Sequence, residues 1–125
     1  MSSSVLDLFV GSPCISVEEI EAKLNFGMPC SRETQGEASL LTYHLNLGAS
    51  VSLTEHLVYL SNMIVASRAT IHELRKDCVF QVLVYLDVNR TEGKPYGVTL
   101  SPEVIGAMLD CGMNFVISCG EESTC

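Results

Sequence analysis

Residues 38 to 47, ASLLTYHLNL, alternate apolar and polar side chains. Leu41, Tyr43, Leu45 and Leu47 fall on one side, and Thr42, His44 and Asn46 on the other. A period of two places this segment in a strand that is buried on one face and wetter on the other, the habit of antiparallel sheets. A one-sided sheet has to hide its apolar face under a second layer, so this stretch alone rules out most all-helical and doubly covered parallel folds. The segment CVFQVLVYLDV, residues 78 to 88, repeats the pattern, with Phe80, Val82, Val84 and Leu86 opposed to Gln81, Leu83, Tyr85 and Asp87. VLDLFV (5 to 10) and MNFVISC (113 to 119) read as two more strands, the last with Met113, Phe115 and Ile117 on one face.

Helix-start signals stand between them. Ser16 followed by Glu19 has the form of a capping box, with Ile15 and Ile20 placed for a hydrophobic staple and Gly27 as a stop. Ser52 and Glu55 repeat it ahead of a stripe of Leu53, Leu57, Leu60 and Ile64. A shorter helix follows, turning Ile71 and Leu74 inward. Ser101-Pro102-Glu103 opens the last helix, with proline at the favoured first position and Gly112 past its end. MPCSRETQGE, between the first helix and the second strand, reads as a polar loop, and NRTEGKPYG as a turn-rich one. The expected order is β-α-β-α-α-β-α-β. The expected fold class is α+β: a two-layer, ferredoxin-like sandwich with a mostly antiparallel sheet and helices on one face. It forms one domain over 1–125, with 1–4 and 120–125 frayed.

Composition narrows the function classes. A chain of 125 residues, 47% hydrophobic and 18% charged, has the makings of one packed core. Fifteen acidic residues against seven basic ones give a net charge of −8, which repels nucleic acid and anionic membranes and attracts a basic protein. No apolar run approaches the ~20 residues of a membrane helix. The start, MSSSVLDLFV, has no basic stretch and carries Asp7 within its apolar run, unlike a signal peptide. A cytoplasmic site of action is therefore expected. Six cysteines without a CxxC pair fit free thiols in a reducing compartment.

Signatures of catalysis are absent: no GxGxxG, no Walker loop, no GxSxG elbow and no HExxH. His44 falls on the polar side of its strand. His56 and His72 have no second histidine at ligand spacing, and Cys111, Cys119 and Cys125 are spaced too widely for a zinc corner. Cys30 with His44 as base would make a nucleophile only if the thiol were activated, and Arg32 is the single local cation. Glu33 and Glu37 read as solvated loop acids. The expectation is a protein that is not an enzyme and holds neither metal nor cofactor.

Several motifs taken together resemble a known family. They are SVEEIEAKLNF-G-MP with the Pro29 exit, Gly36 before an alternating strand, Glu55-His56-Leu57 at a helix start, and the closing Gly97, LSPE, apolar helix, Gly112 and apolar strand to Ile117. This order is similar to the bacterial family called domain of unknown function forty-two seventy-nine, of which the chain looks like a divergent member. Some relatives look like immunity proteins encoded beside polymorphic and type VI secreted toxins. The resemblance implies a protein that neutralises a cognate toxin domain by covering its active site with an acidic surface. The expected contacts are Glu33, Glu37, Glu92 and Tyr96 in loops, with His44, Gln81, Tyr85 and Asp87 on the wetter sheet face. Homodimerisation stays open, and the alternative is a regulatory module that binds a small molecule or peptide.

Overall fold

The computed structural model describes residues 4–86 and 100–119. Its elements are β1 (Leu6–Ser12), α1 (Val17–Leu24), β2 (Cys30–Gln35), β3 (Ala38–Leu45), α2 (Leu53–Ala66), α3 (Arg68–Leu74), β4 (Val79–Leu86), α4 (Pro102–Asp110) and β5 (Asn114–Cys119). The strands form one five-stranded sheet in the order β2-β3-β1-β4-β5. Every neighbouring pair is antiparallel except β4 with β5, which is parallel.

The serine signals cap three helices. Ser16, Ser52 and Ser101 each accept a hydrogen bond from the N–H three residues on, and at Ser52 the reciprocal bond from its own N–H to Glu55 completes the capping box. In α1 the end comes earlier than expected. Asn25 takes the left-handed conformation at φ 50° and returns its N–H to Glu21 O, so the helix is closed before Gly27.

One core lies between the helices and one face of the sheet. Leu6, Leu8 and Val10 of β1, Leu41, Tyr43 and Leu45 of β3, and Phe80, Val82 and Val84 of β4 meet Val17, Ile20, Leu57, Leu60, Ile64, Ile71 and Val104 from the helices. The fold is therefore α+β with helices on a single side, as the alternating strands require. Among the described residues no helix is long and apolar enough to cross a membrane.

The expected strand count needs correcting. Cys30–Gln35, read as part of a polar loop, is edge strand β2, and the observed order is β-α-β-β-α-α-β-α-β. It pairs with β3 from Cys30↔Tyr43 to Gln35↔Ala38 through a two-residue turn at Gly36-Glu37, where Gly36 sits at φ +67°. With it, β2-β3-β1-β4 form the split β-α-β-β-α-β arrangement of ferredoxin-like folds. The segment after β4, with α4 and β5, adds a parallel strand at the far edge.

Two glycines make opposite predictions. Gly112, just past α4, sits at φ +63°, and a Cβ there would overlap the Arg75 guanidinium. Gly112→Ala should lower unfolding free energy by ~1–2 kcal/mol, the cost of left-handed backbone in an L-residue. Gly106, inside α4, has open space around its Cα, so Gly106→Ala should raise stability by about 0.5–1 kcal/mol. Urea midpoints of the two variants check both signs.

Candidate functional site

The sheet face away from the helices is uncovered among the described residues, and alternation decides what it carries. Where Leu6 and Leu8 point into the core, Asp7 and Phe9 point out. The same rule sends out Ser31 and Glu33 of β2, Leu40, Thr42 and His44 of β3, and Gln81, Leu83 and Tyr85 of β4. Asp7 is only 4% exposed. A carboxylate so buried needs partners on both oxygens, and it has them. Its Oδ1 accepts from His44 Nδ1 at 3.0 Å, directly across the β1–β3 pair. Its Oδ2 accepts from the Tyr85 hydroxyl at 2.6 Å.

This pairing selects the tautomer of the neutral imidazole. An ionised carboxylate only accepts, so His44 carries its proton on Nδ1, where Ser4 Oγ also approaches to 3.1 Å. In that neutral form Nε2 keeps a lone pair, and the Ser31 hydroxyl, 2.7 Å away, is placed to donate to it. A continuous row, Ser31–His44–Asp7–Tyr85, thus crosses four strands. Burial, reinforced by the hydrogen bond and charge of Asp7, pushes the Tyr85 phenol up to about 12.

Two hollows flank the row. His44 also lines a cleft of about 840 Å³ at the rim of the sheet, walled by Met28, Pro29, Leu47 and Tyr59. On the other side Phe9, Leu40, Val79, Gln81 and Leu83 border a shallow apolar depression of about 320 Å³.

Of the residues singled out from sequence, His44 and Tyr85 meet through Asp7. Gln81 lies on the same face opposite Phe9, and Glu33 on its edge strand; Glu37 is in the turn after β2. Asp87, Glu92 and Tyr96 lie outside the described residues. Asp7 and Ser31 were not singled out from sequence. Asp7 alone carried a signal, as a charge within the apolar run VLDLFV.

Cys30 pairs with Tyr43 on the helix side, away from His44. Its thiol donates to Glu21 at 3.6 Å and is pushed up by burial and then by Glu21, the reverse of an activated nucleophile. His56 is fully buried and used twice, accepting from Leu47 N–H at 2.9 Å and donating to Ser52 O at 2.8 Å, so it ties the loop after β3 to the start of α2. His72, Asp110 and Cys111 bring one ligand atom each within 4.8 Å of the others. Arg68 already holds the Asp110 carboxylate at 3.2 Å, and burial pushes the Cys111 thiol up, both unfavourable to a cation.

Comparisons with protein-family models, with curated proteins and with solved structures find no match for this chain.

The Tyr85 phenol supplies a pH test. Its folded value lies above the ~10 of a free tyrosine, so its contribution to stability is complete below that value and is lost as pH rises towards about 12. Urea unfolding followed upward from pH ~9 should show this loss in the parent protein and a shallower one in Tyr85→Phe. Near neutral pH the same variant should be less stable by about 1.5–3 kcal/mol, having lost one hydrogen bond to a buried carboxylate.

Proposed function

We propose that this chain is an immunity protein that binds a cognate secreted bacterial toxin domain and blocks it by occupancy, using the uncovered face of its sheet. The observation that carries the proposal is the distribution of charge. Among the described residues, the strand positions facing away from the helices include Asp7 and Glu33 but no lysine or arginine. Lys23, Arg68, Arg75 and Lys76 stand on helices or the turn after α3. Arg32 is on the helix-facing side of β2, held by Glu21 at 2.8 Å. Asp7 is buried and paired, so the exposed charge among these strand positions is that of Glu33. A face that is apolar and, among the described residues, free of cations fits a partner that is basic and apolar.

A toxin domain that acts on nucleotides or RNA has such a surface, because its cleft must attract polyanions. An acidic plug would compete with that substrate. Tyr85, 38% exposed and fixed by Asp7, supplies a rigid aromatic of the kind that anchors interfaces, and Val79, 64% exposed, extends the contact. That the partner is a toxin rests on the resemblance drawn from the sequence; that it is basic rests on the charge.

The cleft beside His44 favours a second proposal, a regulatory module that takes a small molecule or peptide. A metabolite that raises the melting temperature by several degrees, with the effect lost in Tyr59→Ala, would support it.

The leading proposal is tested by titrating the purified chain with the toxin domain encoded beside its gene. Binding tighter than micromolar is expected, and Val79→Lys should weaken it at least ~10-fold, about 1.4 kcal/mol. Absence of binding at micromolar concentration contradicts the proposal, as does full affinity in Val79→Lys.

A further inference from the structure

A protein that acts by occupancy has no use for a hydroxyl poised on an imidazole, yet the row across the open face ends in one. We propose that Ser31 is a nucleophile that accepts the acyl group of a carboxylic ester, with His44 as its general base and Asp7 as the residue that positions His44. The geometry has the three parts such chemistry needs. The nucleophile lies 2.7 Å from the base, the base lies 3.0 Å from its orienting carboxylate, and that carboxylate is itself buried and held. Tyr85 occupies the second Asp7 oxygen, so the carboxylate cannot swing away from the ring.

The backbone register fixes the arrangement. His44 stands opposite Asp7, and Ser31 stands opposite Thr42, diagonal to His44. Two further features suit an ester. His44 N–H donates to Pro29 O at 2.9 Å, so the alternation of an antiparallel ladder turns the N–H of Arg32, the residue after Ser31, towards the free edge of β2. It can donate to a carbonyl oxygen that becomes negative. The cleft that His44 lines, with Met28, Pro29, Leu47 and Tyr59, offers an apolar wall to the acyl chain.

The reaction balances without a cofactor. Ser31 Oγ adds to the carbonyl carbon while its proton passes to His44 Nε2. The bond to the leaving oxygen breaks, and His44 returns that proton to the departing alkoxide, which leaves as an alcohol. A water molecule, giving a proton to His44, then adds to the acyl-serine and displaces Ser31, which recovers the proton as the carboxylic acid departs. The bland account of the same contacts is a cross-strand polar ladder that satisfies a buried aspartate; it predicts a stable row without reactivity at Ser31.

The experiment is covalent labelling of the intact chain with a fluorophosphonate probe, read by mass and peptide mapping, alongside hydrolysis of p-nitrophenyl butyrate. One label at Ser31 is expected. Labelling should be abolished in Ser31→Ala and slowed at least ~100-fold in His44→Ala, the usual scale of general-base catalysis. In Asp7→Asn it should slow as well, together with a change of His44 tautomer seen in the imidazole 15N shifts. Ser31 is exposed on an edge strand, so Ser31→Ala keeps the fold, and circular dichroism verifies this for each variant. No label at Ser31 in the folded parent protein overturns the proposal, as does labelling that His44→Ala leaves unchanged. Neither result bears on toxin binding, which needs no nucleophile.

Discussion

A carboxylate buried on the face of a sheet that no helix covers among the described residues is the constraint around which the open side of this molecule is arranged. Asp7 has almost no contact with solvent, and a charged group in that position is costly unless each oxygen is hydrogen-bonded. His44 and Tyr85 answer that need from the two neighbouring strands. Everything else in the row follows. In the neutral imidazole the tautomer is set by Asp7, and with it the direction of the Ser31 hydrogen bond. Because all four side chains sit on paired strands, the row inherits the rigidity of the backbone ladder.

Much of the fold was legible because its signals are local. Ser16, Ser52 and Ser101 cap the helices that their sequence context predicts, and the alternation of ASLLTYHLNL and CVFQVLVYLDV correctly anticipates a sheet covered on one side. β2 was not legible. Only Cys30 in it is partly buried, and Ser31 to Gln35 are exposed on both faces, so an edge strand without an apolar period looks like a loop. What makes it a strand is pairing with β3 and the left-handed Gly36, and the pairing is non-local information. The site was hidden for the same reason. Ser31 is 13 residues from His44, Asp7 is 37 from His44, and Tyr85 is 78 from Asp7. No motif of fixed spacing links them; the register does.

The open face combines two properties that usually separate. Its charge is one-signed among the described residues, with cations kept to the helical layer or, like Arg32, to the other side of the edge strand. Its apolar residues, Phe9, Leu40, Val79 and Leu83, are continuous with the polar row rather than scattered. One-signed charge speeds encounter with a basic partner, and rigid aromatics beside apolar contacts slow departure. The same rigidity would hold a serine and a histidine at reacting distance. Binding and acyl transfer are thus separate proposals for one surface, joined by the carboxylate beneath both.

The state of the His44 ring tests that common foundation most directly. Long-range 1H–15N correlation spectra, recorded at a pH where the imidazole is neutral, distinguish a ring protonated on Nδ1 from one protonated on Nε2. The structure predicts a single Nδ1–H tautomer, with the proton directed at Asp7 and the Nε2 shift that of a nitrogen accepting from Ser31. An Nε2–H tautomer, or the averaged pattern of a ring free in water, would mean that Asp7 does not organise this face.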